Sequence, residues 1–139
     1  MLEGPTSDLF WLWPGRSGQE FAHACCDYGR LLLASSRPED AARAFQRADE
    51  VRAKLAPYGR HGAGTLEVEL AALRGQPDRA LRLLEELFAH APTAALWWDL
   101  YCNPNLASLR NMPGFEALVV RYEAQMDEQR LRLETDSLP

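Results

Sequence analysis

The residues best able to do chemistry lie early in the chain, where His23 is followed by Cys25 and Cys26. With Cys102 they make a candidate zinc set, but zinc needs three or four ligands that converge on one point. On a helix, Cys25 points about 100° away from its neighbour, and the sequence contains no Cys-x-x-Cys pair. We therefore expect no metal site, with the cysteines in the core and His23 lining a groove.

Catalytic patterns are equally scarce. A Cys–His nucleophile pair on one helix lacks both a third group to orient it and an oxyanion site. The sequence contains no Gly-rich phosphate loop, no Gly-x-Ser-x-Gly motif and no acidic metal cluster. Paired carboxylates such as Glu85-Glu86 fall on helical faces, where solvation explains them. We expect a protein that is not an enzyme and that needs no cofactor.

Composition narrows the class of partner. The 139 residues are 47% hydrophobic and 25% charged, as in an ordinary globular domain, and the net charge is −5. That charge argues against a nucleic-acid surface, which needs a basic patch. No apolar run approaches the roughly 20 residues that span a bilayer, so we expect no membrane insertion. Three cysteines, two of them adjacent, form a poor disulfide framework and favour a reducing compartment.

The elements that position these residues are helices throughout, because every periodic segment has helical spacing and none alternates as a strand does. Ser36 is expected to cap the second helix, with Glu39 three residues later, and Gly75 to end the third. Short connections predict antiparallel neighbours. The predicted helix starts lie at or near Ser17, Pro38, Gly64, Pro77, Thr93, Pro104 and Pro113. The last helix has one apolar stripe: Phe115, Leu118, Val119, Tyr122 and Met126.

An internal repeat relates two of these helix pairs. Pro38-Glu39-Asp40-Ala41 matches Pro77-Asp78-Arg79-Ala80 at an offset of 39 residues. At the same offset Phe45 corresponds to Leu84, and Ser36 to Gly75. A tight turn, then a small residue and a bulky apolar one, is what two closely packed helices per unit require.

This unit resembles the tetratricopeptide repeat, a helix–turn–helix motif of about 34 residues. The units cover about 22–55 and 61–94, with five extra residues at 56–60. The matching signature positions are Gly29, Leu32, Ala41, Phe45 and Ala48, then Gly75, Ala80, Leu84 and Pro92. The resemblance implies an all-α repeat stack, a fragment of an α-solenoid, closed by a C-terminal capping helix. Its parts are an aromatic N-terminal segment (1–16), two helical hairpins (17–92), and a degenerate third unit with the capping helix (93–139).

The segment from Asn103 to Leu118 is similar to one that closes the repeat regions of bacterial signalling proteins. These include membrane-anchored winged-helix regulators and adenylate-cyclase-like proteins, and the likeness rests on Leu109-Arg110, Pro113 and Phe115. It implies that the chain is the sensory or docking end of such a protein. A cytoplasmic location follows, or a periplasmic one in a membrane-anchored regulator.

The first helix of each tetratricopeptide unit lines a concave face, so the resemblance implies a groove for a peptide or a neighbouring domain. The basic, Asn-rich clamp of the family's chaperone-tail binders is absent, since only Arg30 is cationic. The groove is therefore expected to be mixed polar and apolar. Its predicted lining is His23, Cys26, Arg30, Leu33, Glu69 and Leu73, with Thr65 and Ala72 beside them.

Aromatic residues are the other candidate contacts. Trp97 and Trp98 diverge by about 100°, so we expect one in the core and the other partly exposed as a partner anchor. Tyr101 should share a face with Trp97. Trp11 and Trp13 belong to an apolar run, residues 9–13, which must cover either the first helix pair or a second copy of the chain.

These observations predict a protein–protein interaction module in a bacterial signalling or transcription-regulatory protein. The partner would be a protein or peptide. One alternative is a small-molecule sensor, with a ligand held beside Trp97 or Trp98. Another is a homo-oligomerisation unit, a homodimer built on the aromatic N-terminus.

Overall fold

The computed structural model describes residues 16–55, 65–90 and 96–137, and every regular element within these ranges is a helix. The all-α class predicted from the sequence is therefore confirmed. None of the described helices is long and apolar enough to cross a lipid bilayer. The elements are α1 (Arg16–Ala34), α2 (Pro38–Leu55), α3 (Leu66–Leu73), α4 (Pro77–His90), α5 (Leu96–Tyr101), a 3₁₀ helix (Pro104–Leu109) and α6 (Pro113–Asp136).

Some expectations concern residues outside these ranges. The aromatic run with Trp11 and Trp13, the five extra residues at 56–60 and the helix start near Thr93 are among them. The predicted helix starts at proline lie within the described residues and are confirmed. The first residue of α2, of α4, of the 3₁₀ helix and of α6 is a proline, whose missing N–H has no helical partner at that position.

The turns after α1 and α3 have the same backbone geometry. Ser36 has a φ of 58° and Gly75 a φ of 73°, both in the left-handed region. In each turn, the residue after the left-handed one donates its N–H to the carbonyl five residues earlier, which is the Schellman pattern. These bonds join Arg37 to Leu32 and Gln76 to Ala71, each at 2.9 Å. The two turns are related by the 39-residue offset found in the sequence.

Ser36 was expected to cap α2, and this expectation is wrong. Its left-handed backbone closes the end of α1, and α2 begins only at Pro38. The reason is that the Schellman bonds pair the last carbonyls of α1, which need partners as much as the first N–H groups of α2 do. Gly75 ends α3 in the same way, as predicted.

The first part of the core lies between α1 and α2. Phe45 of α2 crosses α1 at Gly29, where any side chain would overlap its ring. This close approach requires a glycine, and it explains why a small residue faces a large one. The buried residues of this cluster are Ala22, Cys25, Cys26, Leu32, Ala41, Ala44, Phe45, Ala48, Val51, Leu66 and Leu70.

The second part of the core lies between α3 and the elements that follow it. Leu84 of α4 is fully buried here, and the rings of Phe88 and Tyr122 meet edge to face with centroids 6.3 Å apart. Because α3 contributes Leu66 and Leu70 to the first cluster and Val68 to the second, it is covered on both sides. That position explains why α3 is apolar around almost its whole circumference.

Helix α6 covers α4 with its first half only. Phe115, Leu118 and Tyr122 are buried, while Val119 and Met126 pack at the edge of the same cluster. The predicted apolar stripe is therefore confirmed. From Asp127 to Ser137 every residue is exposed.

Candidate functional site

A buried polar network joins α3 to α5. Glu69 is only 2% exposed, and its Oε1 accepts a hydrogen bond from Asn103 Nδ2 at 2.6 Å. The same nitrogen donates to Asp99 Oδ1 at 2.8 Å, and Thr65 Oγ1 donates to that oxygen at 3.2 Å. A buried carboxylate is costly without such partners, so these bonds fix the orientation of α5 on α3.

The network continues to α1 through three side chains on one helical face. His23 Nδ1 lies 2.7 Å from Glu69 Oε2. Arg30 Nε donates to Asn105 Oδ1 at 2.9 Å, and Asn105 Nδ2 donates to Asp27 Oδ1 at 2.8 Å. Four elements thus share one set of hydrogen bonds, which clamps α5 and the 3₁₀ helix onto α1 and α3.

The predicted groove residues fall into two groups. His23, Arg30 and Glu69 come together, and their bonds reach Asn103 and Asn105 of the chain's own later segment. That segment packs on α1 and α3, along the face assigned to the groove. Thr65 joins the first group through its bond to Asp99. The remaining predicted lining residues lie outside the network: Cys26 is fully buried, Ala72 is buried in the second core cluster, Leu73 packs beside the first, and Leu33 is 40% exposed.

The network shifts the pKa of two of its members. Burial lowers the pKa of His23, but the hydrogen bond and the negative charge of Glu69 outweigh burial, so the pKa lies above its ordinary 6.5. Charges at Asp99 and Asp27 act in the same direction. For Asp99, burial raises the pKa of the carboxyl above 3.8, against hydrogen bonds from Asn103 and Thr65.

We expect the stabilising contribution of His23 to weaken as pH rises. Its pKa is higher in the folded chain than in the unfolded one, so its contribution is complete below about pH 6.5. The contribution disappears as pH rises through the folded pKa. Denaturant unfolding of the wild type and of His23→Gln, compared at about pH 5.5 and about pH 8.5, should show a larger difference at the acid pH.

The control for this experiment is His90→Gln. His90 is exposed in the last turn of α4 and bonds the carbonyl of Glu86. Its replacement removes a surface histidine without touching the contact to Glu69, so it separates the pH dependence specific to His23 from that of losing any histidine. An equal cost of His23→Gln at both pH values would contradict the assigned role of the ion pair with Glu69.

The cysteines lie apart in the fold. Cys25 and Cys26 are buried in the first core cluster, whereas Cys102 is exposed after α5. Burial raises the pKa of the Cys25 thiol to about 11, and it raises that of Cys26 still further. Within the described ranges, no group of three or more His, Cys, Asp or Glu side chains is arranged to hold a metal ion.

Helix α5 presents its aromatic side chains to solvent. Trp97, Trp98 and Tyr101 are 55%, 48% and 39% exposed, so the expectation of one core tryptophan is wrong. With about 100° between successive residues, these three share one arc of α5. The opposite arc consists of Leu96 and Leu100, which are buried, and Asp99, which is bound in the network.

An open groove runs between α5 and α6. The rings of Trp97 and Tyr101 form one wall, with centroids 6.1 Å apart and planes tilted by 39°. The Tyr101 hydroxyl donates to Glu123 Oε1 at 2.6 Å, which ties this wall to α6. The groove measures about 610 Å³, and its lining is Trp97, Tyr101, Tyr122, Glu123, Met126 and Asp127.

No protein-family model, curated protein or solved structure matches this chain.

Sequence reasoning missed the residues at the centre of the network. The helix start predicted at Pro104 is confirmed, and Asn103 caps it, since its Oδ1 accepts from the Asn105 N–H at 3.0 Å. Asp99 and Asn105 were not singled out. The sequence does contain a signal for Asp99, which lies on the same helical face as the inward-facing Leu96 and Leu100. An acidic side chain on a buried face needs a buried partner.

Proposed function

We propose that this chain is a protein-interaction module whose docking surface is the aromatic face of α5. The supporting observation is the joint exposure of Trp97, Trp98 and Tyr101 on one short helix. Tryptophan and tyrosine dominate the energetics of protein interfaces because they bury large areas and keep a polar handle. Three of them side by side form the kind of patch that soluble proteins keep for a partner.

The rigidity of α5 supports the same proposal. Asp99 is held by Asn103 and Thr65, and Tyr101 is held by Glu123, so both faces of the short helix are tied to other elements. A surface fixed before binding loses little conformational entropy when a partner covers it. By holding Asp99, the polar network keeps α5 in place and presents its aromatic side chains to a partner in one orientation.

The architecture we propose is a tetratricopeptide-like repeat stack with α6 as its cap. The identical turns at Ser36 and Gly75, 39 residues apart, support a repeated unit. Residues 103–110 lie across the face expected to form the groove, and docking is therefore proposed on α5 and α6. The resemblance of the later segment supports a place in a bacterial signalling or transcription-regulatory protein, in the cytoplasm.

Selection from a library of short random peptides tests this proposal. Peptides selected on the wild-type chain should bind a Trp97→Ala/Trp98→Ala variant at least about tenfold more weakly. Because both side chains are half exposed, the variant should keep its helical spectrum and nearly all its stability. Leu131→Ala/Leu133→Ala is the matched control, since it truncates two exposed apolar side chains far along α6.

The proposal fails if the selected peptides bind the tryptophan variant as tightly as the wild type. Analytical sedimentation of the wild type and of the tryptophan variant tests self-association. A wild-type dimer that becomes a monomer in the tryptophan variant would show that the surface serves a second copy of the chain instead.

A small-molecule sensor is the second candidate function. The groove volume of about 610 Å³ lies within the range of ligand sites, roughly 300–1,000 Å³. The groove is widely open to solvent, however, and ligand sites generally enclose most of the ligand surface. An extended peptide fits this shape better, so the interaction module is preferred.

A further inference from the structure

The groove between α5 and α6 combines aromatic walls with an acidic rim. Trp97 and Tyr101 present their rings on the α5 side, and the carboxylates of Glu123 and Asp127 lie on the α6 side. None of the described residues that line the groove is basic. The nearby Arg121 lies over the Phe88 ring, 5.3 Å from its centroid, so its charge is directed at α4.

The surrounding charge is negative as well. Helix α6 contains six acidic and three basic residues, and the whole chain has a net charge of −5. Glu123 accepts a hydrogen bond from the Tyr101 hydroxyl, and this bond is the main reason that the pKa of Tyr101 rises to about 12. The tyrosine side of the groove therefore stays neutral in the physiological range.

We infer that this groove binds a cationic side chain of the partner polypeptide, an arginine or a lysine beside an apolar residue; the inference rests on the proposed interaction function. A cation over the faces of tryptophan and tyrosine is attracted by their ring quadrupoles. Two carboxylates at the rim add charge complementarity. Asp127 forms an exposed pair with Arg130, at 3.3 Å, and Glu123 accepts from the Tyr101 hydroxyl. A cationic side chain adds a donor to these exposed carboxylates, whereas a purely apolar one would cover them without adding any.

Arginine fits this site better than lysine. Its planar guanidinium can stack on Trp97 and at the same time donate two N–H groups to a carboxylate. The compact ammonium of lysine offers no flat face, and it holds its water more tightly. The groove thus discriminates mainly by the positive charge of the side chain, and the planar shape of the guanidinium adds a smaller preference for arginine over lysine.

Two capped peptides test the inference on the full chain: Ala-Leu-Arg-Leu-Ala, and the same peptide with citrulline, the neutral isostere of arginine. The indole N–H signals of Trp97 and Trp98 report binding by nuclear magnetic resonance. The arginine peptide should shift the Trp97 signal saturably and bind about fivefold more tightly than the citrulline peptide. Added salt should reduce this difference, because the carboxylates are exposed.

Variants locate the charge selectivity. Glu123→Gln/Asp127→Asn should make the two peptides bind equally, and the new glutamine can still accept the Tyr101 hydroxyl. Glu128→Gln is the matched control, because Glu128 is an exposed carboxylate on the same helix paired with Arg132. That variant should keep the fivefold preference for arginine.

Three outcomes would overturn the inference. Equal affinity of the wild type for both peptides would refute a cationic occupant while leaving peptide docking intact. Free methylguanidinium that binds as tightly as the arginine peptide would make the occupant a small molecule. If neither peptide shifts the Trp97 signal at millimolar concentration, the groove is not a peptide site. The library selection then tests separately whether the aromatic face of α5 binds peptides.

Discussion

Phe45→Ala should lower the free energy of unfolding by about 3–5 kcal/mol, the usual cost of truncating a buried phenylalanine. Phe45 is 4% exposed and fills the space left by Gly29, so no neighbouring side chain is placed to refill the cavity. The guanidinium of Arg74 lies 6.0 Å from the ring centroid, and this contact would be lost as well. The expected effect is large because the Phe45 ring packs against α1 and contacts the Arg74 guanidinium, and both contacts are lost.

Denaturant unfolding followed by helical circular dichroism measures this cost. The matched control is Leu31→Ala, which truncates a side chain of α1 that is 55% exposed and should change stability by no more than about 0.5 kcal/mol. A Phe45→Ala protein as stable as the wild type would mean that α1 and α2 do not pack through this ring.

Leu84→Ala should cost about 2–5 kcal/mol, through the loss of a fully buried side chain in the second core cluster. Leu84 occupies in α4 the position that Phe45 occupies in α2, given the 39-residue offset. The two substitutions thus test equivalent sites in the two helix pairs. The expected similarity in cost reflects their similar burial, 4% and 0% exposed.

Leu133→Ala is the control for this second substitution, since Leu133 is 68% exposed near the end of α6. Both leucines lie on helices, so the helix propensity term is the same and burial alone separates them. A cost below about 1 kcal/mol for Leu84→Ala would show that the assigned helix register is incorrect.

The sequence by itself determined where four of the seven described helices begin and where α3 ends. Proline marks the starts at Pro38, Pro77, Pro104 and Pro113, and Gly75 marks the end of α3. These signals act within a few residues, because they depend on one missing N–H or one left-handed backbone conformation. The apolar stripe of α6 is equally local, since helical spacing alone places its members on one face. The left-handed Ser36 was missed because serine also favours a cap.

Only the tertiary structure decided which way α5 faces and what surrounds Glu69. The α5 sequence offers two arcs, one with Leu96 and Leu100 and one with both tryptophans, and either could be buried. Which arc is buried depends on the hydrogen bond between Asn103 and Glu69, which are 34 residues apart in the sequence. It also depends on the pairing of Glu69 with His23, 46 residues apart. Periodicity reports neighbours on one helix, whereas a buried carboxylate is satisfied by whichever distant elements meet it.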